Sequence, residues 1–237
     1  KRARKSKNFH NNVVQINNYL PEKQKTVKIV PRNKAQESYM LTLASPKKDV
    51  VFGIGPAGTG KTLIAVLTAI KFFKEGIVDK IIVTRPAVSV DEDLGFLPGT
   101  LEQKMAPWTR PIFDVLREYF TAKEIESMIA EGVIEIAPLA YMRGRTFKKA
   151  YIIADEMQNS TANQMKMLLT RLGEGSKMAV TGDLNQADRM SDNGLIDFIN
   201  QLTRFGNSTH LDYVTFDHQD IERHNAVREV LEVYGDE

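Results

Sequence analysis

A glycine-rich turn between an apolar strand and an apolar helix restricts the possible folds of this chain more than any other feature of its sequence. Residues 55–62 read Gly-Pro-Ala-Gly-Thr-Gly-Lys-Thr and match the pattern GxxxxGK followed by Ser or Thr at every defined position. The apolar run Val50–Ile54 precedes the turn, and a helical apolar pattern follows it at Leu63, Ile64, Val66, Leu67 and Ile70. Glycines let backbone N–H groups turn inward around phosphate oxygens, and the helix N-terminus adds partial positive charge. The sequence therefore predicts a phosphate-binding loop, because eight matched positions in this context disfavour a glycine-rich turn with a chance lysine.

The individual positions of this loop have expected roles in binding a nucleoside triphosphate. The Lys61 ammonium is expected to reach the β- and γ-phosphates, and the Thr62 hydroxyl is expected to bind Mg²⁺. The predicted binding loop consists of Gly55, Pro56, Ala57, Gly58, Thr59, Gly60, Lys61 and Thr62.

A second apolar strand ends in two adjacent acids. Residues 151–156 read Tyr-Ile-Ile-Ala-Asp-Glu. We expect Asp155 to hold Mg²⁺ through water and Glu156 to orient or deprotonate an attacking water molecule. A carboxylate near the water suits a hydrolase, whereas a kinase must keep water away from the γ-phosphate. The alternative is a strand that simply ends in solvated acids.

A third strand ends in Val-Thr-Gly-Asp at residues 180–183, and Gln186 follows three residues later. Polar side chains at the carboxyl end of a strand lie in the ligand crevice of an open α/β sheet. Gln186 is therefore expected to sense the γ-phosphate through a hydrogen bond. The alternative is a Gly-Asp turn with an exposed glutamine.

Short apolar strands alternate with helical patterns along most of the chain, which predicts an α/β fold with a parallel sheet covered by helices on both faces. The predicted strands cover residues 50–54, 80–84, 133–137, 150–154, 178–181 and 211–216. The predicted helices cover residues 33–44, 61–74, 101–120, 121–130, 162–172, 193–203 and 219–234.

Charge and composition limit the classes of protein to consider. Lys and Arg number 32 and Asp and Glu number 30 among 237 residues, and five of the basic residues fall in the first seven. We therefore expect a basic flexible arm over residues 1–25 and a single, mildly acidic domain over residues 26–237. The absence of cysteine excludes disulfides, thiolate zinc sites and thiol catalysis. Without a long apolar run or a secretory signal, we expect a cytoplasmic protein with no membrane partner.

Six segments in this order resemble the PhoH-like ATPases, a family similar to the first motor domain of superfamily 1 helicases. They are residues 55–62, 84–86, 94–99, 143–146, 155–159 and 182–186, and the resemblance extends over about residues 27–235. It implies a RecA-like P-loop fold that uses ATP and Mg²⁺. Met157 departs from the alanine that the family usually has there, at a position outside the expected chemistry.

The resemblance also implies roles for residues that are weak signals on their own. Gln36 matches the adenine-reading glutamine of related helicases, and the alternative is a surface glutamine on the first helix. Three arginines are candidates for nucleic-acid phosphate contacts, with solvated or salt-bridged side chains as the alternative; they are Arg85, Arg143 and Arg145. For Phe96 and Trp108, ordinary packing is favoured over stacking on bases.

A superfamily 1 helicase completes its ATP site with arginines from a second motor domain, for which this chain offers no sequence. We therefore expect a neighbouring subunit to supply the arginine, in a homo-oligomeric ring of six. Arg223 and Arg228 on the last predicted helix are the candidates, and Arg223 is favoured; Arg171 and Arg189 are weaker candidates.

Three functions are compatible with these residues. The leading hypothesis is Mg²⁺-dependent ATP hydrolysis coupled to binding, translocation or unwinding of single-stranded nucleic acid, with RNA preferred over DNA. The second is a P-loop kinase of a small molecule, which the acid pair and Gln186 argue against. The third is an ATP-dependent regulatory or assembly module without helicase activity.

Overall fold

The computed structural model describes residues 26–86, 101–185 and 193–235, and the side chains of the second range from Thr109 onward. Within these ranges helices and strands alternate. In chain order they are α1 (Lys34–Ala44), β1 (Val50–Ile54), α2 (Lys61–Lys74), β2 (Lys80–Arg85), α3 (Leu101–Tyr119), α4 (Ala122–Ala130), β3 (Ile134–Pro138), β4 (Ala150–Ala154), α5 (Ala162–Leu169), β5 (Lys177–Gly182), α6 (Gly194–Phe205), β6 (Leu211–Thr215) and α7 (Asn225–Tyr234). The predicted arm at residues 1–25 lies outside the described ranges, as do Phe96, Gln186, Arg189 and the Trp108 side chain.

The six strands form one parallel sheet in the order β3-β2-β4-β5-β1-β6. β5 therefore lies between β1, which leads into the glycine-rich loop, and β4, which leads into the acid pair. In register, Val50 on β1 faces Met178 on β5 and Leu211 on β6. This confirms the predicted α/β fold with a parallel sheet. The strand order brings the glycine-rich loop and the acid pair, which are distant in sequence, to the two sides of β5.

Helices cover both faces of the sheet, as the sequence predicts. Every residue of β1 and β4 is buried, because successive side chains of a strand point to opposite faces and both faces are packed. One apolar layer joins the sheet to α1, α2, α3 and α4, and it contains Tyr39, Val51, Ile70, Val83, Leu116 and Ile153. The other layer joins it to α5 and α6, and it contains Phe52, Ile82, Ile152, Leu168, Val180 and Leu195.

The helix predicted from Gln219 is wrong over its first six residues. The Asp217 carboxylate accepts a hydrogen bond from the Gln219 N–H, which forms a short 3₁₀ turn over His218–Asp220. The Glu222 N–H then donates to the carbonyl oxygen of Gly58 instead of to a helical partner. Because these donors are used elsewhere, the helix begins only at Asn225, with His224 as its N-cap.

None of the helices in the described ranges combines the length and apolarity that crossing a bilayer requires.

Candidate nucleotide-binding site

The carboxyl ends of three neighbouring strands meet at one edge of the sheet. β1 leads into the glycine-rich loop, β5 ends at Gly182, and β4 leads into Asp155. Together they line a crevice of about 300 Å³, whose wall consists of loop residues, the acid pair and residues 181–183. This is where open α/β sheets bind ligands. The structure therefore brings the phosphate loop and the acid pair into a single site.

The path of the loop depends on glycine. Gly55 has a φ of 147°, and a Cβ at this position would lie 2.3 Å from the carbonyl oxygen of Phe216. Gly60 has a φ of 83° and is the N-cap of α2, which begins at Lys61. The first N–H groups of a helix have no partner within it, so the loop leads directly to the donors at the N-terminus of α2. This arrangement is suited to binding an anion.

Lys61 lies buried beneath the loop. Its ammonium donates hydrogen bonds to the carbonyl oxygens of Gly55 and Pro56, both at 2.6 Å, and to the Thr59 hydroxyl at 3.2 Å. Burial lowers the pKa of Lys61, while the nearby carboxylates, Asp183 foremost, act in the opposite direction. The site thus holds a positive charge close to the backbone that would surround a phosphate.

The Thr62 hydroxyl oxygen and the Asp155 carboxylate, both suited to a hard cation, lie side by side between the loop and β4. The Thr62 hydroxyl donates to Oδ1 of Asp155 at 2.7 Å, and the Thr181 hydroxyl donates to the same oxygen at 2.5 Å. No cluster of three or more acidic or histidine side chains that could hold a metal occurs among the residues described here. Mg²⁺ commonly uses one or two carboxylates together with phosphate oxygens and water. Thr62 and Asp155 therefore fit a magnesium ion that a nucleotide shares.

Glu156 is held in position by a residue to which the sequence analysis gave no role. Glu156 has a left-handed backbone with a φ of 54°, which is uncommon outside glycine and recurs at functional sites. The side-chain amide of Gln158 donates to Oε2 of Glu156 at 2.5 Å, and its carbonyl oxygen accepts from the Asp183 N–H at 3.1 Å. Gln158 is only 2% exposed. It thus links the Glu156 carboxylate to the end of β5.

Gln36 lies against the loop, so the alternative of a surface glutamine is wrong. Gln36 is 6% exposed. Its amide N–H donates to the carbonyl oxygen of Thr59 at 3.0 Å, and its carbonyl oxygen accepts from the Arg32 N–H at 2.9 Å. The Asn33 side chain caps α1 by accepting from the Gln36 N–H. These bonds fix the amide beside the phosphate loop.

The segment after β6 borders the other side of the loop. The Glu222 N–H donates to the carbonyl oxygen of Gly58 at 3.1 Å, and the Asn33 side-chain amide donates to the carbonyl oxygen of Asp220. Arg223 follows this contact directly and is exposed, in the irregular segment before α7. Arg228 is exposed on α7 itself. The expected transfer of an arginine to a neighbouring site stays a prediction.

The three nucleic-acid candidates lie on the β2–β3 side of the molecule. Arg85 is half-buried at the carboxyl end of β2, and Arg143 is exposed after a 3₁₀ turn that follows β3. Arg145 forms a bidentate ion pair with Glu135 and lies over the Phe147 ring, 4.6 Å from its centroid. The salt-bridged alternative therefore describes Arg145 in this structure, and the phosphate contacts of all three stay predictions.

The chain matches a known protein family over most of its length. A family model described as PhoH-like protein matches residues 28–235. The chain is 48% identical over 193 residues to a PhoH-like protein of Bacillus subtilis, covering 81% of this chain and 60% of the relative. It is 43% identical over 221 residues to one of Mycobacterium tuberculosis, covering 91% and 60%. Protein PhoH of Escherichia coli is 44% identical over 214 residues, with 89% and 59% covered. The chain thus spans about 60% of the length of these relatives.

Two solved structures align with the chain at low sequence identity. The helicase MrfA bound to DNA aligns with a TM-score of 0.46 at 12% identity, covering 85% of this chain and 30% of that one. The SWI2/SNF2 ATPase core of Sulfolobus solfataricus, in complex with double-stranded DNA, aligns with a TM-score of 0.41 at 15% identity, covering 83% and 46%.

Proposed function

The chain belongs to the PhoH-like family, and we propose that it is a Mg²⁺-dependent ATPase that couples hydrolysis to binding and movement along single-stranded nucleic acid, RNA in preference to DNA. One observation carries the proposal: Lys61, the Thr62–Asp155 pair and Glu156 meet in one crevice at the ends of three adjacent strands. A phosphate-binding cation, oxygen ligands for a metal and a carboxylate base are the parts that ATP hydrolysis requires.

Nucleotide binding follows from the donors around the loop. The N–H groups of the loop and of the first turn of α2 would surround the phosphates, and Lys61 would exchange its bonds to loop carbonyls for bonds to phosphate oxygens. Gln36 uses one amide hydrogen and one lone pair in its contacts to Thr59 and Arg32. A carboxamide has two of each. The second amide hydrogen and the second lone pair are available to bind the donor and acceptor groups on the edge of adenine.

Hydrolysis requires a water molecule to attack the γ-phosphorus as the bond to the β–γ bridging oxygen breaks. Glu156 is the candidate base that takes the proton of this water. Mg²⁺, when bound, neutralises charge on the phosphates, and Thr62 and Asp155 would hold it. The products are ADP and inorganic phosphate, with no acceptor other than water.

Phosphate release separates the candidate functions. We expect the protein to release phosphate from ATP without any added acceptor, and single-stranded RNA to raise the rate. A kinase would release little phosphate until its acceptor is added. An assembly module would release phosphate at a rate that neither single-stranded RNA nor DNA changes, and that result would remove nucleic acid from the proposal.

The residues proposed to contact the nucleic acid are Arg85, Arg143 and Arg145. Phosphate contacts by arginine release counterions, so the affinity for single-stranded nucleic acid should fall steeply as the salt concentration is raised. Arg143, which is exposed, should contribute to this salt dependence without requiring any rearrangement. Arg145 would have to share its guanidinium between Glu135 and a phosphate.

Replacing Gln158 with alanine should lower the turnover of ATP by about 10-fold to 100-fold, because a hydrogen bond to a charged group is worth about 1.5–3 kcal/mol. ATP affinity should change little, since Gln158 contacts Glu156 and the Asp183 backbone and is not part of the loop. Steady-state kinetics and nucleotide titration measure the two effects separately. Gln201→Ala, which alters an exposed glutamine on α6, is the matched control. An equal loss of affinity would instead assign Gln158 a general structural role.

Replacing Arg223 with alanine should lower turnover by about 10³-fold and leave ATP binding intact, because an arginine finger acts on the transition state. Arg204→Ala, at another exposed position, is the control. Mixing subunits tests whether the arginine acts between chains. Arg223→Ala subunits keep the loop and Lys61→Ala subunits keep Arg223, so a mixture should regain activity that neither has alone. Failure of the mixture to recover would contradict an inter-subunit site.

A further inference from the structure

The last helix, α7, has an apolar stripe that the described domain does not bury. Val227, Val230, Leu231 and Tyr234 recur at the spacing of one helical face. Nevertheless α7 contains no buried residue: Val230 is 52% exposed and Tyr234 is 77% exposed. By contrast, the amphipathic helix α6 buries its apolar face through residues 195, 199 and 202. The sequence of α7 is therefore typical of a helix that packs against another surface, but the described residues do not bury its apolar stripe.

A groove of about 500 Å³ lies at the β3 edge of the sheet, between α3, the end of α4 and the edge strand β3. Half-buried apolar side chains form its inner surface, namely Phe113, Ile129 and Ile136. These side chains pack against the core from one side and face the groove from the other. A groove of this kind is suited to an apolar helix face.

The charges of the two surfaces are complementary. The polar face of α7 has Glu229 and Glu232 against one cation, Arg228, and two further acids follow in the sequence at residues 236 and 237. Arg110 lines the groove, whose carboxylate Glu135 is already neutralised by Arg145. Arg117, also in the lining, is paired with Asp114. The helix is therefore acidic where the groove has net positive charge.

The placement of these surfaces determines how two copies can associate. α7 follows the edge strand β6, whereas the groove lies on the other edge strand, β3. Because the helix and the groove are different surfaces, each copy can offer its helix to one neighbour and its groove to another. Such a head-to-tail contact closes into a ring when the rotation permits.

We propose that α7 of one copy docks its apolar stripe into the β3-edge groove of the next copy. The proposal does not depend on ATP hydrolysis. Docking has a consequence for the nucleotide site, because α7 is continuous with the segment that contacts the phosphate loop through Glu222 and Gly58. The groove of one copy would thus hold the helix that flanks the loop of its neighbour.

The test uses two variants that each destroy one surface. Val230→Lys places a cation on the stripe, and Phe113→Glu places an anion in the groove. Each variant alone should lose assembly, with association weakened at least about 10-fold relative to wild type. Native mass spectrometry of the full chain measures the number of copies in the assembly directly, and the measurement does not require ATPase activity. Mixed together, the two variants should form a heterodimer, since one retains the helix and the other retains the groove.

Leu41→Lys is the matched control, because Leu41 is a 60% exposed aliphatic residue on helix α1 and belongs neither to α7 nor to the groove lining. It should assemble as wild type does. ATP binding and thermal unfolding establish that each variant is folded. Wild-type protein that stays monomeric at all concentrations would overturn the proposal. So would a groove variant that still self-associates, which would show that α7 pairs with α7. Loss of ATPase activity in a protein that assembles normally would count against the proposed function and not against this interface.

Discussion

Replacing Glu156 with glutamine is expected to abolish ATP hydrolysis while preserving ATP binding. Glutamine has the shape of glutamate and its carbonyl oxygen can still accept the hydrogen bond from Gln158, so the local structure should be retained. It cannot take a proton from water. Loss of a general base costs about 10²–10⁴-fold in rate. Single-turnover phosphate release measures the loss, and titration with a fluorescent nucleotide measures binding.

The matched control for this change is Glu126→Gln, which alters an exposed glutamate on α4. It should hydrolyse ATP at the wild-type rate. If Glu156→Gln reduced turnover by less than about 10-fold, Glu156 would not be the base. If it removed ATP binding as well, the effect would lie in the left-handed turn of residue 156 and not in proton transfer.

Replacing Lys61 with alanine is expected to remove both tight ATP binding and hydrolysis. Lys61 is buried and bonded to the loop backbone, and burial strengthens the interaction of its charge with a phosphate. Loss of one such electrostatic donor costs about 10²–10³-fold in rate. The measurement is the rise in melting temperature on adding ATP and Mg²⁺, which should be absent in the variant because stabilisation by a ligand requires binding.

Lys71→Ala is the control for Lys61, because it removes a partly exposed lysine from the same helix, α2. Its nucleotide-dependent stabilisation should equal that of wild type. Lys61→Arg is informative as well, since the planar guanidinium cannot reproduce the compact ammonium beneath the loop. An ATP-dependent stabilisation that survives in Lys61→Ala would contradict the assigned role of this residue.

Local sequence signals predicted the elements that build the site. β1 and β4 have the bounds expected from their apolar runs, and Lys61 begins α2 directly after the glycine loop. These elements were predictable because their determinants are adjacent in sequence: a buried strand is an unbroken apolar run, and a phosphate loop is a fixed spacing of glycines and lysine.

Features that depend on strand order were not predictable in the same way. Gln158 gains its role only because β5 lies next to β4, which brings the Asp183 N–H to its amide. The burial of Gln36 likewise requires α1 to pack on the loop. The segment before α7 reads as helix, yet the contact between Glu222 and Gly58 takes its backbone away from helical bonding. The missing information in each case is a partner distant in sequence.

The position of β1 in the sheet has a consequence for biosynthesis. β1 pairs only with β5 and β6, which follow it by more than a hundred residues, and Asn33 reaches across to Asp220. Contacts between such distant segments form late in folding, because the entropy cost of closing the long loop between them comes before the contacts can stabilise the structure. The phosphate loop is synthesised before β5 and β6, so it acquires these neighbours only when β6 has emerged from the ribosome. A nascent chain therefore becomes competent to hold nucleotide only after the whole segment from β1 to β6 has been made.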